Sequence, residues 1–119
     1  MYDQNNIFAK ILRGDIACQK IAEDKHFLSF HDVHPKAPTH ALVIPKGSYE
    51  NAHDFTTHAS EEEIVGFWKG VNTTVTTLNL TQDGYRLIAN TGPHSRQEVP
   101  HFHVHILGGH DLGPKMVMS

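Results

Sequence analysis

Residues 101–105 read His-Phe-His-Val-His, so that three imidazoles alternate with apolar side chains. Side chains on a β-strand point to opposite faces with a period of two, which predicts that His101, His103 and His105 share one face and the intervening side chains face a core. Neighbouring imidazoles would stand about 6.5–7 Å apart, too far for adjacent rings to contact each other. The polar face therefore suits separate contacts along a polyanionic ligand, or a metal ion if other groups join it.

Imidazole attacks phosphorus when one ring nitrogen is free and the other holds a proton, which it donates to a carbonyl or carboxylate. His103 has a histidine on each side and is best placed to act as this nucleophile, while its neighbours donate hydrogen bonds or hold the tautomer. Asn90 and Gln97 add uncharged donors shortly before the motif. A zinc site is the competing interpretation, and its fourth ligand would have to be His40, His31 or a carboxylate.

Eleven histidines are the unusual feature of the composition, in a chain of 119 residues that has the length of one ordinary domain. The net charge of −3 predicts no broad basic surface and therefore no nucleic-acid partner. Cys18 is the only cysteine, which excludes an internal disulfide and a cysteine-based zinc cage. No cationic N-terminal segment precedes an apolar run, and no long apolar stretch is present, so we expect a cytoplasmic protein that does not enter a membrane.

The elements that would carry these residues form an α+β pattern. Asn6 is a suitable cap for a short helix over residues 7–13, and Ser60 with Glu63 has the capping-box spacing that begins a longer helix. The longer helix has an apolar stripe formed by Ile64, Phe67, Trp68, Val71, Val75 and Leu78. Strands are expected at residues 20–23, 27–32, 40–45 and 85–89 and at the histidine motif. Short turns between them predict an antiparallel sheet of about five strands, covered on one face by the long helix.

Several further segments occur together with the histidine motif, which extends over residues 101–107. They are residues 7–11, 30–33, 37–40 leading into 43–46, 84–86 leading into Asn90, and 97–99. Together they resemble the histidine triad (HIT) family, and within it the Hint-like branch, from Ile7 to about Leu112. We therefore treat residues 1–119 as a single HIT domain, with a core at about 7–112 and a C-terminal tail at 113–119.

The resemblance implies hydrolysis of purine nucleoside phosphoramidates or related nucleotidyl compounds, derivatives of adenosine or guanosine 5′-monophosphate, without cofactor or metal. By position, His103 would be the catalytic nucleophile that becomes nucleotidylated. His105 and Asn90 would contact the α-phosphate. His101 would orient the surroundings of the nucleophile, and His40 would be an outer member of the imidazole network.

The resemblance also implies a nucleotide pocket, in which Asp32 would hold the ribose hydroxyls. The walls of the base pocket would be formed by Phe8, Ile11, Phe30, His31, Val33 and Leu42. Simple core packing is the alternative for Phe8, Ile11 and Leu42, and the two interpretations are compatible because an adenine pocket is itself apolar. Gln97 and Glu98 complete the predicted substrate-binding residues. Glu98 stands where some relatives have Ser, which leaves the preferred leaving group open.

The resemblance implies a homodimer whose sheets join. A small subunit with a sheet edge near its site also has reason to pair that edge with a second copy. Three alternatives remain for the function. The chain could hydrolyse dinucleoside polyphosphates, as in the Fhit-like branch, although the segments at residues 37–40 and 84–86 are Hint-like. It could instead be a nucleotide-binding regulatory protein with little turnover, or a metal-binding protein.

Overall fold

One antiparallel sheet of five strands organises the computed structural model, which describes residues 1–114. In chain order the strands are β1 (Lys20–Glu23), β2 (Phe27–His31), β3 (Thr39–Pro45), β4 (Arg86–Ile88) and β5 (Val104–Gly108). The helices are α1 (Ile7–Leu12), α2 (Ala52–His58) and α3 (Glu61–Thr77), and a 3-10 turn covers Pro93–Ser95. The strands lie side by side in the order β1-β2-β3-β5-β4, which inserts β5 between β3 and β4. The predicted α+β class is confirmed.

Both predicted helix starts are confirmed by their caps. The Asn6 side chain accepts a hydrogen bond of 2.9 Å from Ala9 N at the start of α1. Ser60 and Glu63 form both bonds of a capping box at the start of α3, where three glutamates also meet the positive end of the helix dipole. α1 ends one residue earlier than predicted because Arg13 forms its C-cap. No helix within residues 1–114 is long and apolar enough to cross a membrane.

α2 is an element that the sequence pattern does not predict. It is seven residues long and begins at an Asn51 cap, whose side chain accepts a hydrogen bond from Asp54 N. Phe55 is its one buried residue, so the segment has no apolar stripe with helical periodicity. Packing of this single ring against the core, together with the cap, therefore holds α2 in place.

α3 packs across β1, β2 and β3 and covers one face of the sheet. The predicted apolar stripe is correct for Phe67, Val71 and Val75, which are buried in the core. It is wrong for Trp68, which is 45% exposed. The helix face that meets the sheet is centred on Phe67, Val71 and Val75, which follow one another at intervals of four residues. Trp68 therefore lies at the margin of this face.

Two glycines of α3 explain how closely this helix approaches the sheet. Gly66 and Gly70 are both buried on the contact face, although neither belongs to the apolar stripe. A Cβ added at Gly66 would overlap the His26 ring, and one added at Gly70 would overlap the Phe27 ring. The small residues therefore make room for β2 and its preceding turn, which a pattern of large apolar residues cannot reveal.

Alternation along β3 gives the sheet two different buried faces. Ala41 and Val43 enter the core beneath α3, whereas Leu42 and Ile44 join a second cluster on the α1 side. His40 has the same parity as this second pair and points to the same face. The α1 side of the sheet is therefore the face on which the imidazoles collect.

Candidate active site

The three histidines of the motif lie where β5 begins, and only His105 belongs to the strand. His101 and His103 precede it in an irregular segment, which is held by a hydrogen bond of 2.7 Å from Phe102 N to Tyr49 O. The prediction of a regular strand through all three histidines is therefore wrong, and so is the predicted separation of about 6.5–7 Å between neighbouring imidazoles. The ring centroids of His103 and His105 are 5.1 Å apart in an edge-to-face contact, because the regular pleat does not extend back to His103.

His101 is fully buried, and both of its ring nitrogens have partners. Nε2 lies 2.9 Å from the carbonyl oxygen of Pro45, and a carbonyl only accepts, so Nε2 carries the proton. Nδ1 must then accept, and it does so from the phenolic hydroxyl of Tyr2 at 2.6 Å. Burial lowers the pKa of His101 from 6.5 to about 4, so the ring is neutral at neutral pH.

His103 is the histidine with a ring nitrogen that can act as a nucleophile. Its Nδ1 lies 2.7 Å from the carbonyl oxygen of His101, which fixes the proton on Nδ1 and the lone pair on Nε2. Burial lowers the pKa of His103, while the bond to the His101 carbonyl and the charges of Asp32 and Glu98 oppose that shift. The result is a neutral imidazole with an unprotonated Nε2, which is the state that a nucleophile needs.

His40 and His105 form a second imidazole pair, and a backbone group determines their tautomers. Lys36 N donates a hydrogen bond of 3.0 Å to His40 Nδ1, so a neutral His40 holds its proton on Nε2. This N–H lies 2.9 Å from His105 Nδ1 and 3.4 Å from an Asp32 carboxylate oxygen. His105 Nδ1 therefore accepts, and its Nε2–H remains as a donor. Burial lowers the pKa of both rings, that of His105 to about 4.

Asp32, His40 and His105 are also the one group among residues 1–114 whose atoms are close enough to hold a metal ion, with ligand atoms within 4.8 Å of one another. A metal bound at His40 Nε2 would move the proton to Nδ1, where it would oppose the N–H of Lys36. The donor arrangement thus favours a chain of hydrogen bonds over metal ligation. The short distances from His40 to its two partners are explained by that chain.

Four of the six predicted base-pocket residues collect beside these imidazoles, and His31 and Val33 do not. Phe8, Phe30 and Leu42 are buried in one cluster, and Ile11 packs against it. The Phe8 ring contacts both the Phe30 ring and the His103 ring, at centroid distances of 5.7 Å and 5.0 Å. The apolar cluster therefore extends directly to the candidate nucleophile.

The end of β2 and the loop after it hold the remaining pocket residues, with His31 as the last residue of the strand. Asp32 Oδ1 accepts a hydrogen bond of 2.8 Å from His34 N, and Asp32 N donates to the His40 carbonyl at 2.9 Å. These bonds fix the carboxylate at the edge of the histidine cluster. His31 is half-buried, whereas Val33 is 80% exposed and does not join the apolar cluster.

Gln97 is held entirely by the protein's own backbone. Its amide nitrogen donates to the carbonyl oxygens of Glu50 and Val99 at 2.7 Å and 3.0 Å, and its side-chain oxygen accepts from Gly92 N at 3.0 Å. Both amide hydrogens are therefore in use, and in this arrangement Gln97 fixes the loop before the triad. Glu98 is exposed beside it, close enough for its charge to act on His103.

Asn90 is half-buried two residues beyond β4. β4 pairs with β5 in a register that sets Ile88 opposite His105. The chain therefore leaves β4 at the end of the strand that lies opposite His105, and Asn90 follows two residues later. The sequence-predicted polar donor thus follows the strand that borders the histidines.

Sequence reasoning missed the groups that hold the imidazole tautomers. Tyr2 lies 99 positions before His101, and no spacing rule connects the two. The remaining partners, at Pro45, Lys36 and His101, are backbone atoms, which any residue type supplies. A requirement that every buried ring nitrogen find a partner is the signal that leads to these contacts once the fold is known.

Comparison with known proteins identifies the family of the chain. A family model described as HIT domain matches residues 13–112. The chain is 49% identical to an HIT-like protein of Azospirillum brasilense, with coverage of 95% of this chain and 93% of that protein. It is 38% identical to a purine nucleoside phosphoramidase of Escherichia coli K12, with coverage of 95% and 94%. A solved histidine triad protein from Clostridium difficile superposes with a TM-score of 0.86 at 34% identity, covering 98% of this chain and 100% of that one. The chain belongs to the HIT domain family.

Proposed function

We propose that the protein is a hydrolase that cleaves purine nucleoside phosphoramidates, or related nucleotidyl compounds, through a nucleotidyl-histidine intermediate on His103. The observation that carries this proposal is the bond from His103 Nδ1 to the His101 carbonyl, which leaves Nε2 free beside the protonated Nε2 of His105. The 38% identity to a purine nucleoside phosphoramidase of Escherichia coli supports the substrate class.

In the first step, His103 Nε2 attacks the α-phosphorus, and the bond to the leaving amine breaks as the amine takes up a proton from solvent. Negative charge that develops on the phosphoryl oxygens is met by the His105 Nε2–H and by the Asn90 amide. Water then attacks the same phosphorus and gives up a proton to solvent, the bond from phosphorus to His103 Nε2 breaks, and the nucleoside monophosphate is released. Two inversions at phosphorus give net retention of configuration, which distinguishes this route from direct attack by water.

The nucleotide would be oriented by the loop after β2 and by the apolar cluster. The Asp32 carboxylate has remaining lone pairs that accept hydrogen bonds from the two ribose hydroxyls. The rings and aliphatic side chains of Phe8, Phe30, Ile11 and Leu42 supply the apolar surface for a purine base, and they already contact His103 through Phe8. This proximity supports one continuous site from base to phosphorus.

Glu98 adds a carboxylate on the exposed side of His103. Its charge favours a cationic amine leaving group over an anionic one, because the carboxylate attracts the first and repels the second. This preference also separates the proposed phosphoramidase from a dinucleoside polyphosphate hydrolase, whose leaving group is anionic. We therefore expect amine leaving groups to be preferred.

A homodimer is part of the proposal. β4 is an edge strand of three residues, and Leu87 within it and Tyr85 beside it are exposed. Pairing β4 with the same strand of a second copy would extend both sheets and cover these side chains. We expect sedimentation at micromolar concentration to give a species of twice the 13.3 kDa chain mass. A species of single-chain mass under these conditions contradicts the dimer.

The test of function compares an adenosine phosphoramidate with a diadenosine polyphosphate as substrate, for the wild type, His103→Ala and His53→Ala. His53 is exposed on α2 and controls for the loss of a histidine. We expect the wild type and His53→Ala to prefer the phosphoramidate, and His103→Ala to bind nucleotide without turnover. Acid-quenched wild type should carry one nucleotide at His103 by peptide mass mapping. Nucleotide binding without turnover in the wild type would instead favour a regulatory protein.

A further inference from the structure

We infer that Tyr2 is a positioning residue of the active site, because its hydroxyl fixes the ring of His101, whose own carbonyl holds the proton of the nucleophile. This inference rests on the proposed function, since the nucleophile is His103. Tyr2 lies outside residues 13–112, the part of the chain that matches the HIT domain model. No role was predicted for it from the sequence.

The contact between Tyr2 and His101 is close and directional. The phenolic oxygen lies 2.6 Å from His101 Nδ1, and the two rings meet edge to face with centroids 5.7 Å apart. Because His101 Nε2 donates to the Pro45 carbonyl, Nδ1 has no proton and the phenol must be the donor. His101 is fully buried, so no bulk water replaces this hydroxyl.

The segment that carries Tyr2 is held by the cap of α1. Asn6 donates from both its backbone and its side-chain nitrogen to the Asp3 carbonyl, at 3.2 Å and 2.7 Å. The same Asn6 side chain accepts from Ala9 N and so begins the helix. Arg13, at the other end of α1, donates to the Gln4 carbonyl at 2.6 Å. The position of Tyr2 is therefore determined by α1, which also carries Phe8 of the apolar cluster.

His101 passes this constraint to the nucleophile. Its carbonyl oxygen accepts the Nδ1–H of His103 at 2.7 Å, and the Phe8 ring packs edge-on against both imidazoles. A rotated or protonated His101 would disturb that carbonyl or introduce a positive charge beside His103. The Tyr2 hydroxyl opposes both changes, because it donates to the nitrogen on which the additional proton would sit.

The groups that face His101 are few. Tyr2 approaches from the N-terminal segment, and His103 is the titratable neighbour on its own segment. β3 contributes only the Pro45 carbonyl, and α1 contributes the uncharged Phe8 ring. Removal of the Tyr2 hydroxyl therefore makes His101 easier to protonate, because the hydrogen bond that favours its neutral form is lost.

The test is Tyr2→Phe, which keeps the ring and removes the hydroxyl. Tyr49→Phe is the matched control, since the Tyr49 hydroxyl also makes a hydrogen bond, of 2.8 Å, but to Glu63 on α3. For Tyr2→Phe we expect kcat with a phosphoramidate to fall by roughly threefold to tenfold, the factor that one hydrogen bond contributes, with KM unchanged. The acidic limb of its pH-rate profile should move to higher pH. Tyr49→Phe should change neither.

A second measurement does not depend on activity. In histidine-labelled protein, the nitrogen chemical shifts of His101 report its tautomer and its pKa, which we expect to rise in Tyr2→Phe and to stay unchanged in Tyr49→Phe. A shift in Tyr2→Phe without turnover in the wild type would reject the proposed hydrolase and still support the contact. An unchanged His101 pKa with unchanged kcat, or a loss confined to KM, would overturn the inference.

Discussion

The two faces of the sheet are both buried, but different contacts stabilise them. Beneath α3, Phe55, Phe67 and Phe102 pack ring against ring with centroids 5.0–5.3 Å apart and no polar partner to satisfy. On the α1 side, His101 and His103 are also buried, but hydrogen bonds hold both ring nitrogens of His101 and the Nδ1 of His103. The three rings of the first face exclude water by apolar packing, whereas the imidazoles of the second face exclude water and are also fixed in their proton positions.

The comparison shows how one strand can serve folding and chemistry at once. In β5 and the segment before it, Phe102 and Val104 enter the α3 core while His103 and His105 enter the imidazole cluster. Burial of the apolar Phe102 and Val104 removes no charge or polar group from water. The same burial lowers the pKa of both histidines, because it disfavours the charged imidazolium. The same exclusion of water that stabilises the fold therefore keeps the candidate nucleophile unprotonated.

The largest expected effects come from one substitution on each face. Phe67→Ala leaves a cavity in the α3 core and should lower the free energy of unfolding by about 3–5 kcal/mol. His103→Ala should lower kcat by more than about 10³-fold, more than the loss of one oxyanion donor, and change stability far less. Urea unfolding and turnover of a phosphoramidate measure the two effects.

If Phe67→Ala mainly lowered kcat and His103→Ala mainly lowered stability, the distinction between a structural and a chemical face of the sheet would be wrong. Val75→Ala, a smaller deletion in the same core, serves as the graded control for Phe67→Ala and should destabilise less. His53→Ala serves as the control for His103→Ala, because it removes an exposed histidine on α2. Full turnover in His103→Ala would remove the chemical role of the α1 side.

Acid should destabilise the protein through the histidine face first. The pKa of His101 is about 4 in the folded state and 6.5 without burial, so the unfolded chain takes up the proton first as pH falls. Stability is therefore complete above pH 6.5 and declines below it, by on the order of 2 kcal/mol for this one group at pH 5. Urea unfolding at pH 7.5, 6.5 and 5 measures the decline.

Carboxylates do not produce a loss in the same range. Backbone hydrogen bonds at the helix starts lower the pKa values of Glu63 and Asp54 below 4.5 and 3.8, so their contribution is lost mainly at lower pH. His101→Gln should make the decline between pH 6.5 and 5 shallower, and His105, whose pKa is also lowered to about 4 by burial, should account for part of the remaining decline. A wild-type stability that is constant over that range would show that burial of His101 carries no proton linkage.

Much of the α3 side could be predicted from the sequence, because apolar periodicity and caps are local signals. Ser60 with Glu63 marked the start of α3, and the bounds of β1 matched the prediction. Two predictions failed because they relied on large apolar residues. α2 was missed because it has a single buried ring, and Trp68 was assigned to the buried face although Gly66 and Gly70 form part of that face. Close approach between elements is decided by small residues, which hydrophobic patterns do not count.

The α1 side could be predicted only as a set of residue types. The spacing of the histidines indicated imidazole chemistry, and the family resemblance named Asp32 and His40, which the fold brings within 3.4 Å of each other. The proton positions could not be predicted, since they depend on the Lys36 N–H and on the Pro45 carbonyl. Backbone partners that are distant in sequence become visible only in three dimensions.

A smaller effect is expected at the ribose end of the site. Asp32→Ala should raise KM for ribonucleotide substrates by roughly tenfold to a hundredfold, as expected for hydrogen bonds to a charged group, and much less for 2′,3′-dideoxy analogues. Asp32→Asn is the matched variant, because its side-chain oxygen can still accept from His34 N and preserve the turn. Equal losses for both substrate types would remove Asp32 from the ribose role.

The smallest expected effect is that of removing metal ions, which should leave kcat unchanged. The candidate ligands are Asp32, His40 and His105, and a metal there would need an unprotonated Nε2 on His40. The Lys36 N–H already points at Nδ1, so that nitrogen accepts and the proton belongs on Nε2. Exhaustive chelation followed by a turnover assay tests this. Activity that disappears with the chelator and returns with zinc would replace imidazole by metal-bound water as the nucleophile. It would also require the Lys36 backbone to turn away from His40, so the same result would reassign the proton positions of His40 and His105, while those of His101 and His103 would still follow from their own carbonyl partners.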